Sequence, residues 1–149
     1  MAEHLWTVLC ERTLVDTQNQ VISLVDIIET LASKGLEQRV EEAKRIGKKG
    51  AILETRLLLV SWWYRDNPEE KTVQARFVLH TPSGEMVMEA PASLDWAPDS
   101  NMLRLFVNLD KIPVAEFGLH WFSVQRPKVL KSRTRWDTVA RLPMSIEKV

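Results

Sequence analysis

Apolar and polar residues alternate between positions 72 and 80. The apolar positions of this segment are Val73, Ala75, Phe77 and Leu79. Successive side chains of a β-strand point to opposite faces, so the spacing predicts a strand with one buried face. Similar segments recur along most of the chain and are separated by turn-forming residues, which predicts an all-β sandwich.

The predicted strands lie around residues 5–11, 20–28, 53–65, 72–80, 86–90, 103–109, 117–126 and 136–147. Pro91 marks the end or interruption of one strand, and Pro143 indicates an edge or a bulge, because proline cannot donate a ladder hydrogen bond.

One segment has the periodicity of a helix. Its apolar stripe is formed by Leu36, Val40, Ala43 and Ile46, at the spacing of one helical face. We expect a short helical insert at about residues 34–49, with Ser33 as the N-terminal cap and Gly47 or Gly50 ending the helix. Such a helix must lie on an apolar surface to be stable.

Length and composition fit one domain, residues 1–149, because domains commonly contain about 100–150 residues. Twenty basic residues balance twenty acidic ones, so the net charge does not favour nucleic acid or acidic membranes. A lone cysteine, Cys10, excludes an internal disulfide and favours a reducing compartment. No secretion signal is visible, and the longest apolar run, residues 57–64, is too short for a membrane helix. We therefore expect a cytoplasmic protein with no membrane partner.

The two ends of the chain carry a resemblance to a known family. Residues 10–16 and 21–28 resemble the first hairpin of a family of bacterial immunoglobulin-like β-sandwich domains of unknown function, and residues 117–124 and 139–146 resemble its closing strands. The resemblance implies a single immunoglobulin-like antiparallel β-sandwich and a bacterial origin. It implies no activity.

The same resemblance sets the faces of the strand that begins at Gly118. His120 takes the place of an aromatic residue and points into the core with Phe122 and Val124. Leu119 and Trp121 then face outward, since adjacent side chains on a strand alternate.

The residues that usually perform catalysis are scattered. Three histidines, His4, His80 and His120, lack metal-ligand spacing, and the chain contains no glycine-rich phosphate loop and no Gly-x-Ser-x-Gly motif. We expect no metal, no cofactor and no catalytic residue, and an enzyme of unrecognised type is the third interpretation.

Some strands are apolar on both sides. Residues 57–63 carry large apolar groups on each face, and Phe106, Leu119 and Trp121 fall opposite the predicted core side. In an immunoglobulin-like arrangement these residues share one outer face. Such a face needs cover, either from the stripe of the inserted helix or from a partner, which is another protein or a second copy. The sequence therefore favours a non-enzymatic interaction or scaffold module.

Residues 126–135 form a basic segment without an acidic residue. Lys131, Arg133 and Arg135 are its candidate polyanion-binding residues, and they support an alternative function in nucleic-acid or polyanion binding. A solvated loop explains the same residues, so nucleic acid is not the favoured partner. Among the six tryptophans, Trp96 and Trp121 are expected to be exposed, which makes a weak platform for a sugar.

Overall fold

The computed structural model describes residues 1–19 and 21–149, in which two β-sheets pack face to face. The strands are β1 (Glu3–Val15), β2 (Ile22–Ile27), β3 (Thr30–Ala32), β4 (Ala51–Tyr64), β5 (Thr72–His80), β6 (Met86–Asp95), β7 (Met102–Val114), β8 (Gly118–Leu130) and β9 (Arg133–Glu147), and the helix α1 is Leu36–Arg45. The predicted all-β sandwich with one short inserted helix is confirmed. The predicted start of the second strand, Gln20, lies outside the described residues.

The order of the strands within the sheets follows the immunoglobulin arrangement. One sheet has the order β2-β1-β4-β7 and the other has the order β3-β9-β8-β5-β6. If β1, β4 and β7 are equated with strands A, B and E, then β5, β6, β8 and β9 take the places of C, C′, F and G. The pairings are antiparallel, apart from a short parallel pairing of β3 with β9 at residues 30–32.

The sheets bury the faces that the alternation predicts. On β5 the four alternating apolar residues, Val73, Ala75, Phe77 and Leu79, are buried in the core. On β8 the buried residues of the inner face are His120, Phe122 and Val124. Leu119 and Trp121 point to the outer face of the same strand. The predicted orientation of the β8 side chains is therefore confirmed.

The helix α1 closes one end of the sandwich. Leu36 and Val40 belong to the same buried cluster as core residues of both sheets, such as Leu53 and Ile146. Ile46, the last residue of the predicted stripe, is 62% exposed. The helix already ends at Arg45, so Ile46 does not continue the buried face.

The ends of α1 are set by glycines in the left-handed region. The N-terminal cap is Gly35, with φ 79°, and not the predicted Ser33. At the other end Gly47 has φ 84°, and the amide of Lys48 donates to the carbonyl of Ala43, which is the hydrogen bond of a Schellman motif. Of the two predicted alternatives, Gly47 ends the helix.

Gly50 has a different role, because a side chain does not fit there. A Cβ atom on Gly50 would lie 2.1 Å from the carbonyl oxygen of Val114. The close approach of these two backbones brings the chain from the helix into β4, which pairs Ala51 with Val114.

Two of the four prolines within strands, Pro91 and Pro143, were singled out in the sequence, and both occupy positions that tolerate a missing donor. Pro91 lies inside β6, an edge strand that continues to Asp95, so the prediction that Pro91 ends or interrupts the strand is wrong. Pro143 pairs with Trp121 on one side, and β3 pairs with β9 only at residues 145–147. Both positions agree with the confinement of proline to open edges.

A buried arginine joins two loops at one end of the sandwich. Arg65 is 2% exposed, and its guanidinium lies 5.2 Å from the centre of the Trp96 ring. The guanidinium donates to main-chain carbonyls of Pro68, Glu70, Ala97, Pro98 and Ser100. Trp96 is consequently buried, and the prediction that it is exposed is wrong.

Candidate interaction surfaces

The three predicted partner-binding residues do not share a face. Phe106 lies on β7 of the four-stranded sheet, whereas Leu119 and Trp121 lie on β8 of the five-stranded sheet. All three are on outer faces, but these faces are on opposite sides of the sandwich. The expectation of one common face is therefore wrong.

The inserted helix leaves both outer faces uncovered. Leu36 and Val40 of α1 pack into the core at the open end between the sheets. The expectation that this stripe covers part of an outer face is wrong, because an insert between β3 and β4 leads from one sheet to the other and meets the core at that crossing.

The outer face of the four-stranded sheet is the larger apolar surface. We define the apolar face as Trp6, Val8, Leu58, Val60, Trp62 and Phe106. Val8, Val60 and Phe106 form one cross-strand row of β1, β4 and β7, and Trp6 and Trp62 belong to the next row. Side chains from three strands thus meet on one side of the sheet.

Contacts between neighbouring side chains order the apolar face. The rings of Trp6 and Trp62 meet edge to face, with their centres 5.4 Å apart. The guanidinium of Arg104 lies 5.4 Å from the centre of the Trp62 ring. Val60 is fully buried although neither the other sheet nor the helix of the described residues lies over it. Phe106, on the edge strand, is 47% exposed.

Cys10 lies on the same side of the sheet, next to Leu58 of β4. Its side chain is fully buried by its neighbours. Burial raises the pKa of the Cys10 thiol above its ordinary value, because the charged thiolate is poorly solvated there. The thiol therefore behaves as a small apolar side chain.

The outer face of the five-stranded sheet is more polar. The guanidinium of Arg141 lies 4.6 Å from the centre of the Trp121 ring, and that of Arg76 lies 4.6 Å from the centre of the Trp136 ring. Arg76 also donates to Gln125. Guanidinium groups therefore occupy indole faces that a sugar would need, so this surface does not form a stacking platform.

The basic segment is a β-hairpin and not a loop. β8 and β9 remain paired up to Leu130 and Arg133, and residues 131–132 form the turn, with Lys131 at φ 55°. Lys131, Arg133 and Arg135 are exposed, and Arg135 forms an ion pair with Asp137 at 2.7 Å. The backbone pairing continues to the turn, so the segment extends the sheet. The charges of residues 126–135 did not indicate this pairing.

At the base of this hairpin, Arg126 has a structural contact. Its guanidinium donates to the carbonyl of Ala2 at 2.7 Å and ties β8 to the start of the chain. Polyanion binding by the other three cations stays a prediction.

His120 is packed in the core and does not face a cleft. Its Nδ1 lies 2.9 Å from the carbonyl oxygen of Gly118, to which Nδ1–H donates. Nε2 is buried without a hydrogen-bond partner in the part of the chain that the structure describes. This arrangement holds the ring in the core, away from the protein surface.

Sequence reasoning did not identify Trp6, Val8 and Val60 as residues of the apolar face. The sequence did indicate such a face, since residues 57–63 carry large apolar side chains at both the inward and the outward positions of the strand. What the sequence did not show is which strands lie beside β4 and add their outward side chains to it.

Comparison with known proteins gives no relative: no family model, curated protein or solved structure matches the chain. Within residues 1–19 and 21–149, no helix is long and apolar enough to span a membrane. In the same ranges, no three His, Cys, Asp or Glu side chains are grouped so that they could hold a metal ion.

Proposed function

We propose that this chain is a non-enzymatic interaction module of the bacterial cytoplasm that pairs with a second copy of itself through the apolar face. The observation that supports this proposal is a continuous apolar surface on β1, β4 and β7 over which no element of the described chain lies. Contiguous apolar patches of this kind mark interaction sites, because exposure to water costs free energy.

The outer face of the four-stranded sheet, which carries the apolar face, is large enough for a dimer interface. Four strands about 4.8 Å apart and on average about ten residues long, at about 3.3 Å per residue, give this whole sheet face a flat area of about 600 Å². Two copies would bury about 1,200 Å² in total, which is the lower limit of a standard protein interface.

A second copy is the occupant that the shape favours. Two sheets bury their faces by stacking about 10 Å apart, with interdigitated side chains. A self-complementary face produces a closed two-fold dimer, the commonest oligomer of soluble proteins. Arg104 lies on the edge strand β7, where its guanidinium stacks on the ring of Trp62.

The non-enzymatic part of the proposal is supported by the placement of the histidines. His4 is on β1, whereas His80 and His120 are on β5 and β8 of the other sheet. Although the last two are on neighbouring strands, His120 is buried in the core and His80 pairs with Trp121 on the other face. They therefore do not converge on one cleft.

Two matched substitutions test the proposal. Phe106 and Leu119 are 47% and 46% exposed, on the outer faces of opposite sheets, so an aspartate at either place is tolerated equally by the monomer. We expect Phe106→Asp to weaken dimerisation at least about tenfold, because it places an unpaired charge in an apolar interface. Leu119→Asp should dimerise like the wild type. Sedimentation equilibrium across the micromolar range measures both.

Two results would contradict the proposal, and a third would show that the variants are unsuitable for testing it. A wild-type protein that stays monomeric at the highest concentration would exclude a second copy as the occupant. Loss of the dimer in Leu119→Asp alone would move the interface to the five-stranded sheet. Equal effects of both variants, with equal loss of thermal stability, would show that aspartate damages the fold.

A further inference from the structure

The hairpin of β8 and β9 continues beyond the last pairing of β8 with β5. The last pairing of β8 with β5 joins Gln125 to Arg76, and β8 then continues as residues 126–130, paired with β9. Five residues at about 3.3 Å each give a two-stranded ribbon of about 16 Å. We call its outer part, residues 128–135, the basic tip.

The basic tip combines four cationic side chains with two exposed aliphatic ones. The cationic residues are Lys128, Lys131, Arg133 and Arg135, and the tip contains no acidic residue. Val129 is 73% exposed and Leu130 is 44% exposed. Since the whole chain has no net charge, the positive charge of the tip is a local concentration.

The two aliphatic residues lie on opposite faces of the ribbon. Val129 pairs with Thr134, and Leu130 pairs with Arg133. Adjacent residues of a strand point to opposite sides, so apolar groups flank the turn on both faces. A partner that lies flat against one face contacts only one of them, whereas a medium that surrounds the end of the hairpin contacts both.

We propose that the basic tip binds the surface of anionic lipid membranes. Val129 and Leu130 enter the boundary between headgroups and acyl chains, and the cationic side chains contact lipid phosphates. Exposed apolar side chains surrounded by Lys and Arg are typical of proteins that bind the membrane interface. This site is separate from the apolar face, since it lies on the other sheet.

Such a site needs no membrane-spanning segment. The expectation of no membrane partner rested on the absence of a secretion signal, the short apolar run at residues 57–64 and the zero net charge, and none of these bears on a local surface site. A nucleic acid would use the same cations, but it would leave the aliphatic residues exposed to water and unexplained.

Vesicle co-sedimentation tests the proposal with the full chain. The probes are vesicles of phosphatidylcholine alone and vesicles rich in phosphatidylserine. We expect binding to the second kind only, and weaker binding with added salt. Each cation near such a surface changes the partition coefficient by a factor of about five. The triple variant Lys131→Ala, Arg133→Ala, Arg135→Ala should therefore bind at least about 20-fold more weakly, allowing for the Asp137 contact of Arg135.

A second variant separates lipid insertion from charge. Val129→Ser with Leu130→Ser keeps every charge and should reduce vesicle binding about tenfold or more, since burial of such side chains contributes strongly to partitioning. A matched control, Lys44→Ala with Lys48→Ala and Lys49→Ala, removes three exposed charges near the end of α1 and should bind like the wild type.

A dye gives a readout that does not depend on the amount bound. The only native thiol is buried, so Val129→Cys is labelled selectively with an environment-sensitive fluorophore. We expect a blue shift on adding phosphatidylserine vesicles and none on adding single-stranded DNA.

Four outcomes would overturn the proposal. These are equal binding to both kinds of vesicle, unchanged vesicle binding by the triple variant, unchanged vesicle binding by the serine variant, and a labelled tip whose emission does not shift. Salt-dependent DNA binding that needs Lys131, Arg133 and Arg135, without vesicle binding, would instead make the tip a nucleic-acid site.

Discussion

His120 offers the most direct measure of how the inner face of β8 is built. The ring is fully buried, and its Nδ1 bonds the Gly118 carbonyl while Nε2 has no partner among the described residues. The substitution His120→Ala removes packing, leaves the Gly118 carbonyl unpaired and also removes the orphaned Nε2. These contributions have different signs, so the free energy of unfolding depends on their balance.

Truncation of a large buried side chain to alanine costs about 2–5 kcal/mol. An unpaired buried carbonyl adds about 1–3 kcal/mol, and removal of the orphaned nitrogen returns a similar amount. We therefore expect His120→Ala to lose about 2–4 kcal/mol. For a chain of this length the melting temperature falls by about 2–4 °C for each kcal/mol.

Urea unfolding followed by tryptophan fluorescence measures this loss. His120→Leu is the informative companion, because it fills most of the space without a polar atom and should lie within about 1.5 kcal/mol of the wild type. Leu119→Ala, on the exposed face next to it, should change stability by less than about 0.5 kcal/mol. A His120→Ala variant as stable as the wild type, together with a damaging Leu119→Ala, would mean that the two faces of β8 are reversed.

Three further predictions concern Arg65, His4 and Cys10. Arg65→Ala should lose more than about 3 kcal/mol in urea unfolding, because it leaves several buried carbonyls unpaired; a smaller loss would show that the two loops do not depend on it. Burial lowers the pKa of His4 below its ordinary value, so the unfolded state binds the proton more readily, and stability that is present above about pH 6.5 should decline as the pH falls toward the lower folded pKa. His4→Gln should flatten the fall in melting temperature between neutral and mildly acidic pH, and an unchanged slope would refute the assignment. Cys10 should react with a thiol reagent only as fast as the protein opens, since its side chain is buried and its pKa is raised; rapid labelling of the native protein would contradict this.

The faces of single strands were predictable because they depend on a local rule. A period of two residues fixes which side chains of β5 and β8 enter the core, and the structure agrees at Phe77, His120 and Phe122. The helical insert was predictable for the same reason. Its last residue was not, because the left-handed Gly47 ends the helix before Ile46 joins the stripe.

The assignment of strands to sheets was not predictable from local patterns. The hairpin of β1 and β2 uses two strands where the immunoglobulin arrangement has one, so the strand at residues 51–64 takes the place of B and not of C. This shift places Phe106 and Trp121 in different sheets. The burial of Trp96 depends on Arg65, which lies 31 positions earlier in the chain. No local sequence pattern connects these two residues.

The apolar face is ordered before any partner arrives, and this has a thermodynamic consequence. Val60 is buried by its lateral neighbours, and Trp62 is held between Trp6 and Arg104, so little side-chain freedom is left to lose on binding. Association would then bury apolar surface between two preformed sheets, and its heat capacity change should be negative without any change in secondary structure. Dilution calorimetry of the dimer at several temperatures measures this change, and circular dichroism at the same concentrations follows the strands. A loss of strand signal on dissociation would mean that the face is not preformed and that folding and pairing are one process.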